Sequence, residues 1–189
     1  MSSREIRIPI LPASDAVIAG REKWHYRGTE IPDFAEPVAS GQESVWRYPR
    51  PPRIEPVSQV LRVFHNKKPI AETTRGQRVC ETAGAPTYYF PPEDVDMTLI
   101  QPGDLSSVCE WKGVAQTLTV DGLVGAAWRY VRMFEEFAAL YQWVAFHPRH
   151  LLCFIDTELV SHQDGGFYGG WVSKNLAGPI KGRAGTEHW

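Results

Sequence analysis

The chain of 189 residues has little cysteine and no long apolar run. Its three cysteines, Cys80, Cys109 and Cys153, form no Cys-x-x-Cys pair, which excludes a thiolate zinc knuckle and a thioredoxin-like redox pair. An odd and sparse set is typical of free thiols in a reducing compartment, so we expect a cytoplasmic protein. The longest apolar runs, such as residues 123–128, are too short to cross a bilayer, and residues 1–5 predict no secretory signal.

An excess of charge and the familiar catalytic motifs are also missing. The net charge of −2 lacks the basic surplus of a general nucleic-acid binder or of a protein that binds anionic membranes. No phosphate-loop, nucleophile-elbow or His-Glu-x-x-His pattern occurs. His147 and His150 flank Pro148, which disfavours a helical metal-binding pair and favours an ordinary loop. The motifs therefore indicate no metal site, and they leave the cofactor unknown.

Proline and glycine are concentrated at opposite ends of the chain. Eight of the fifteen prolines lie in residues 1–56, together with aromatic residues that a disordered tail would lack. Seven of the sixteen glycines lie in residues 165–185. We therefore predict an irregular Pro-rich arm (1–56) packed on the core, a β domain (57–160) and a Gly/aromatic-rich tail (161–189).

The middle of the chain predicts a single compact, mainly β domain (α+β with one short helix). Residues 59–65 and 69–73 resemble a hairpin around a polar break, and Asp121-Gly122 is typical of a tight turn between strands. Further strands are predicted at 77–82, 87–90, 95–100, 114–120, 124–130 and 151–156. Phe134, Phe137, Ala138 and Tyr141 follow the spacing of an amphipathic α-helix.

The densest cluster of reactive side chains is the segment 106–113, which contains Cys109, Glu110 and Lys112. A nearby ammonium stabilises a thiolate, so Cys109 could act as a nucleophile supported by Lys112. In an extended strand the two side chains would point to opposite faces, and they converge only if the segment turns. A small buried thiol beside a surface lysine is the structural alternative, and residue types alone favour it.

A second cluster combines aromatic and charged residues over 86–95, with Tyr88, Tyr89 and Asp94. Paired tyrosines can offer a stacking surface and hydroxyl donors to a polar ligand. The alternative is a strand in which one tyrosine is packed and the next is exposed.

Several blocks, taken in order, resemble the domain-of-unknown-function 427 family over roughly residues 57–160. The blocks are Ile70-Ala71-Glu72-Thr73-Thr74-Arg75, Cys80-Glu81-Thr82, residues 86–95, Cys109-Glu110-Trp111-Lys112-Gly113-Val114-Ala115, Ala127-Trp128-Arg129-Tyr130 and Val144-Ala145-Phe146. Residues 43–52 and 165–171 resemble the longer subgroup found in cyanobacteria and plants.

The resemblance implies a β-tent-like fold, similar in shape to methionine sulfoxide reductase B, and a nucleotidyltransferase label for some members. This chain lacks the cysteine pairs of the zinc-bearing relatives. Many members have Thr-His-Cys-Pro where this chain has Ser107-Val108-Cys109-Glu110, so the histidine that would activate the cysteine is missing.

Because these blocks are polar and aromatic, we expect them to line one ligand pocket. The expected ligand-binding residues are Arg75, Glu81, Tyr88, Tyr89, Asp94, Trp111 and Trp128, with Cys109 and Lys112 as candidate catalytic residues. Tyr89 and Trp128 would form the walls, and Arg75, Glu81 and Lys112 would anchor a small polar or anionic metabolite. The alternatives are a Cys109-dependent or nucleotidyltransferase-like enzyme and a structural or interaction protein, and a homo-oligomer stays open.

Overall fold

A computed structural model describes residues 7–189. The prediction for residues 1–5 lies outside this range. The helix and strands are α1 Asp15–Glu22, β1 Glu43–Ser44, β2 Arg53–Pro56, β3 Leu61–His65, β4 Lys68–Thr73, β5 Gln77–Cys80, β6 Thr87–Phe90, β7 Ile100–Cys109, β8 Gly113–Val120, β9 Leu123–Met133, β10 Val144–Phe146, β11 Leu152–Ile155, β12 Glu158–Leu159, β13 Ser161–His162, β14 Trp171–Val172 and β15 Leu176–Ala177. Short 3-10 helices lie at Val45–Arg47, Pro92–Asp94, Met97–Leu99 and Glu135–Leu140. The mainly β prediction is confirmed.

Two antiparallel sheets carry the fold. The larger sheet has seven strands in the order β2-β5-β6-β10-β9-β8-β7, and the smaller has four in the order β12-β11-β3-β4. Two further pairs, β1 with β15 and β13 with β14, fasten the N-terminal and C-terminal segments. No helix within residues 7–189 is long and apolar enough to span a bilayer.

The main core lies between the two sheets. It joins Leu61 and Val63 of β3 to Phe90 of β6 and Phe146 of β10. Because successive side chains of a strand point to opposite faces, Tyr89 turns away from this core. It joins a second cluster, which includes Ala145, on the face of the seven-stranded sheet that points away from the four-stranded sheet. We call this face the far face. That far face carries the cavity described below.

The predicted turns and most predicted strands are confirmed. Asn66 and Lys67 have positive φ between β3 and β4, and Asp121 and Gly122 have positive φ between β8 and β9. These values are those of the primed turns that match the twist of a hairpin.

Two local predictions are wrong, and one long strand was not predicted. The stripe from Phe134 to Tyr141 forms a 3-10 helix, Glu135–Leu140, because its buried residues Phe137 and Leu140 repeat every three positions. The predicted strand 95–100 is instead the 3-10 helix Met97–Leu99, capped by the Asp96 side chain. The strand β7 that follows was not predicted, because Pro102 argues against a strand. The proline is tolerated there because β7 is an edge strand and its ladder is irregular after Pro102.

The helix α1 lies in the segment predicted to be irregular. The Ser14 side chain caps it by accepting a hydrogen bond from the backbone N–H of Val17, but none of its residues is buried. A helix without a buried face leaves no apolar stripe in the sequence. The segment is instead held by side chains such as Arg21, whose Nε donates to the Glu110 carbonyl at 2.7 Å.

Gly113, at the start of β8, permits the tight turn from β7 into β8. Its φ is +123°, and a Cβ there would lie 2.3 Å from the Arg132 carbonyl oxygen. We expect Gly113→Ala to lower the free energy of unfolding by about 3 kcal/mol or more, because backbone strain and a backbone clash add. Urea unfolding of the variant measures this loss.

Gly122→Ala is the matched control. Gly122 also has a positive φ, +85°, but an added Cβ would meet nothing within 4 Å. It should therefore cost only the strain of a left-handed residue, about 1 kcal/mol. Equal losses in the two variants would contradict the close approach at Gly113.

Candidate functional site

A cavity of about 550 Å³ lies on the far face of the seven-stranded sheet. This volume is in the range of small-molecule sites. Its floor comes from the sheet, one end from the turn between β7 and β8, and its cover from the glycine-rich segment 166–170 together with Trp24 and Lys181.

The floor is a row of side chains that crosses four strands. Tyr89 of β6 pairs with Ala145 of β10, Ala145 with Trp128 of β9, and Trp128 with Thr117 of β8. Residues directly opposite in a ladder point to the same face. Tyr89 and Trp128, predicted as walls of one pocket, therefore lie in a single row, and both line the cavity.

The Tyr89 hydroxyl lacks a hydrogen-bond partner on the floor. The residue is fully buried, and its hydroxyl has no partner among residues 7–189. Burial raises the pKa of Tyr89 to about 12, so it is a neutral phenol at pH 7. A buried polar group without a partner is unfavourable, and here the hydroxyl oxygen is also inaccessible to solvent, so it is part of the packed layer under the cavity.

The turn between β7 and β8 brings Cys109 and Lys112 together. β7 ends at Cys109 and β8 begins at Gly113, so residues 110–112 form a turn. The sequence alone did not decide between this turn and an extended strand. Both side chains line the cavity. Burial lowers the pKa of Lys112, but Cys109, Tyr89 and Glu81 raise it by more, so the ammonium stays charged.

A buried ion cluster stands beside Lys112. The Glu81 carboxylate accepts a hydrogen bond from Arg50 Nε at 2.9 Å and one from Lys181 Nζ at 3.3 Å. Burial raises the pKa of Glu81, but Lys181, Lys112 and Arg50 lower it by more, so Glu81 stays ionised. We call Glu81, Lys112 and Lys181, which all line the cavity, its charged end.

Trp24 closes the charged end from the N-terminal arm. The Arg50 guanidinium lies 4.1 Å and the Lys181 ammonium 4.7 Å from the centroid of its ring. Its indole Nε1 donates to Glu110 Oε1 at 2.8 Å. Both cations therefore contact an aromatic face, which stabilises charge in a partly desolvated site.

The glycine-rich segment covers the floor at close range. A Cβ at Gly169 would lie 2.1 Å from Cη2 of Trp128, so only glycine allows this approach. Gly170 is held as tightly, because a Cβ added there would lie 2.3 Å from Gln163 Oε1. Sequence reasoning missed that this segment, Lys181 and Trp24 line the cavity, since no motif connects them to the β strands.

His147 lies at the cavity beside Trp128, with 4.4 Å between ring centroids. Burial, His150 and Arg149 together lower its pKa to about 4, so the imidazole is neutral at pH 7. It contributes a polar but uncharged group to the wall.

Four predicted site residues lie elsewhere, so the expectation of one shared site needs correction. Arg75 binds Asp94 through two hydrogen bonds, of 2.9 and 3.0 Å, in an exposed pair that does not line the cavity. Tyr88 faces the main core, 4.9 Å from Trp171, because it alternates with Tyr89. The fourth residue, Trp111, is buried in the second cluster, outside the cavity lining.

Comparison with known proteins identifies a family. A family model described as Domain of unknown function (DUF427) matches residues 53–160, more than half of the chain. No curated protein matches. The match includes Glu81, Tyr89, Cys109, Lys112 and Trp128, and leaves Trp24, Lys181 and the glycine-rich cover outside. The chain therefore belongs to the DUF427 family.

Proposed function

We propose that the cavity binds a small organic anion. Lys112 carries the proposal: it lines the cavity, is charged, and has no ion-pair partner within 4 Å among residues 7–189. Lys181 lies at the same end, and within the described part of the chain its ammonium has one acceptor, Glu81, for three donors. A half-buried ammonium without a salt bridge is incompletely compensated, and a carboxylate, phosphate or sulfonate would supply the missing contact.

The remaining walls favour a ligand with a flat ring. Trp128 supplies accessible aromatic surface on the floor, and Tyr168 and Trp24 add aromatic surface near Lys181. Aromatic faces bind planar rings by stacking. The charged end thus recognises the anionic group, and the floor recognises the ring.

The carboxylates at the cavity do not fit a magnesium-dependent nucleotidyl transfer. That reaction needs carboxylates that hold the metal beside the phosphates. Glu81 accepts hydrogen bonds from Arg50 and Lys181, and Glu110 accepts one from Trp24. Within residues 7–189, no three His, Cys, Asp or Glu side chains are grouped as metal ligands would be.

The three cysteines are free, and Cys80 and Cys153 are buried with raised pKa values. Free thiols are typical of proteins in a reducing compartment, and we propose that this protein is located in the cytoplasm.

A thermal-shift screen of small aromatic carboxylates, phosphates and sulfonates tests the binding function. A ligand at 100 times its Kd should raise the Tm by about 5–10 °C, since binding to the native state adds about 2.7 kcal/mol. In Lys112→Met, a tenfold loss of affinity should reduce this rise by about half.

Lys174→Met is the matched control, because Lys174 is exposed and lies outside the cavity. It should keep the full rise in Tm. The proposal is contradicted if no anion shifts the wild-type Tm, or if Lys112→Met and Lys174→Met respond alike.

A second candidate function is catalysis with Cys109 as the nucleophile, which the proximity of Lys112 in the turn favours. Iodoacetamide at pH 7.5 should alkylate Cys109 of the native protein and spare the buried Cys80 and Cys153. The Cys109 thiolate would displace iodide and form the S–C bond. Lys112→Met should slow alkylation by about threefold, because a nearby ammonium stabilises a thiolate. Mass spectrometry of the peptides measures the rate, and an unchanged rate would rule out activation by Lys112.

A further inference from the structure

The cavity changes character along β8. Its charged end lies at the turn before Gly113, where Lys112 faces Glu81. Four residues further along β8, Thr117 Oγ1 donates to the Leu105 carbonyl at 3.0 Å. At the rise of a β-strand these two positions are roughly 13 Å apart.

Exposed apolar side chains lie at the edge of the cavity. Leu105 and Phe167 both line it, and they are 70% and 71% exposed. We call these two residues the apolar rim. Single exposed apolar residues are ordinary on a protein surface, but two that border one cavity form a feature of that cavity.

Leu105 is held at the rim by an irregularity in β7. The ladder with β8 shifts register between Pro102 and Ser106, so residues 103–105 bulge opposite Thr117. Bulges re-aim side chains and are frequent next to binding sites. The bulge and the Thr117 hydrogen bond fix the Leu105 backbone beside the floor, because Thr117 pairs with Trp128.

We propose that the ligand is an elongated amphiphile, with its anionic group at Lys112 and Lys181, its ring over Trp128 and its apolar end against Leu105 and Phe167. This inference rests on the proposed anion-binding function and adds the ligand's length and polarity. A compact anion would use only the charged end. An amphiphile would also cover the apolar rim, which is exposed to solvent in the free protein.

Two probes of different length separate these cases in calorimetric titrations of the full-length protein. Benzenesulfonate is short and anionic, and 8-anilinonaphthalene-1-sulfonate carries the same anionic group on a longer aromatic body. Lys112→Met should weaken both probes by about tenfold, because it removes their common charge partner. Leu105→Asn should weaken only the longer probe, by at least about threefold, through lost apolar contact.

Val108→Asn is the matched control, since Val108 is 63% exposed on the same strand but does not line the cavity. It should leave both affinities unchanged. Phe167→Asn supplies an independent rim variant and should also weaken the longer probe. The high exposure of all three side chains means that the variants should keep the wild-type Tm, which is measured alongside.

The outcomes distinguish the two proposals. If Lys112→Met weakens both probes while both rim variants bind the longer probe as the wild type does, the amphiphile inference is overturned and anion binding stands. If neither probe binds the wild type, or Lys112→Met changes neither affinity, both proposals are overturned.

Discussion

The buried guanidinium of Arg50 is the constraint on which the rest of the structure depends. Its side chain is fully inaccessible to solvent, so every donor needs a protein acceptor. Nε donates to Glu81, Nη1 to the Tyr26 carbonyl, and Nη2 to the carbonyls of Thr82 and Trp189. One side chain thereby joins the N-terminal arm, the end of β5 and the last residue of the chain.

The same interaction fixes the charge at the cavity. Glu81 balances Arg50, and this arrangement allows Lys181 to be buried beside it despite a pKa that burial lowers. Removing one partner of a buried ion pair costs far more than the pair contributes, since a charge is left without compensation. The cluster therefore holds Trp24 and Lys181 in place around the cavity.

Sequence reasoning located three of the four strands that form the floor, β6, β8 and β9, but it missed β10 and found only part of the site. Period-two alternation separates Tyr88 from Tyr89, and the turn at residues 110–112 decides that Cys109 and Lys112 converge. The sequence could not show that Arg75 forms an ion pair outside the cavity, because its partner Asp94 is distant in sequence and no spacing rule joins them. Local sequence patterns also could not predict that Trp24, Lys181 and the glycine-rich cover line the cavity. The packing of their segments depends on long-range contacts such as those of Arg50.

Hydrogen exchange of Glu81→Gln, followed by mass spectrometry, tests most directly whether this buried cluster holds the arm and the C-terminal segment. Glutamine keeps the shape of the side chain but leaves Arg50 and Lys181 without a counter-ion. Residues 21–28 and 181–189 should lose protection by at least about tenfold, while the β3–β4 hairpin keeps it. The control is Glu72→Gln, which removes the exposed partner of Arg62 and should change neither segment. Wild-type protection of both segments in Glu81→Gln would contradict the account.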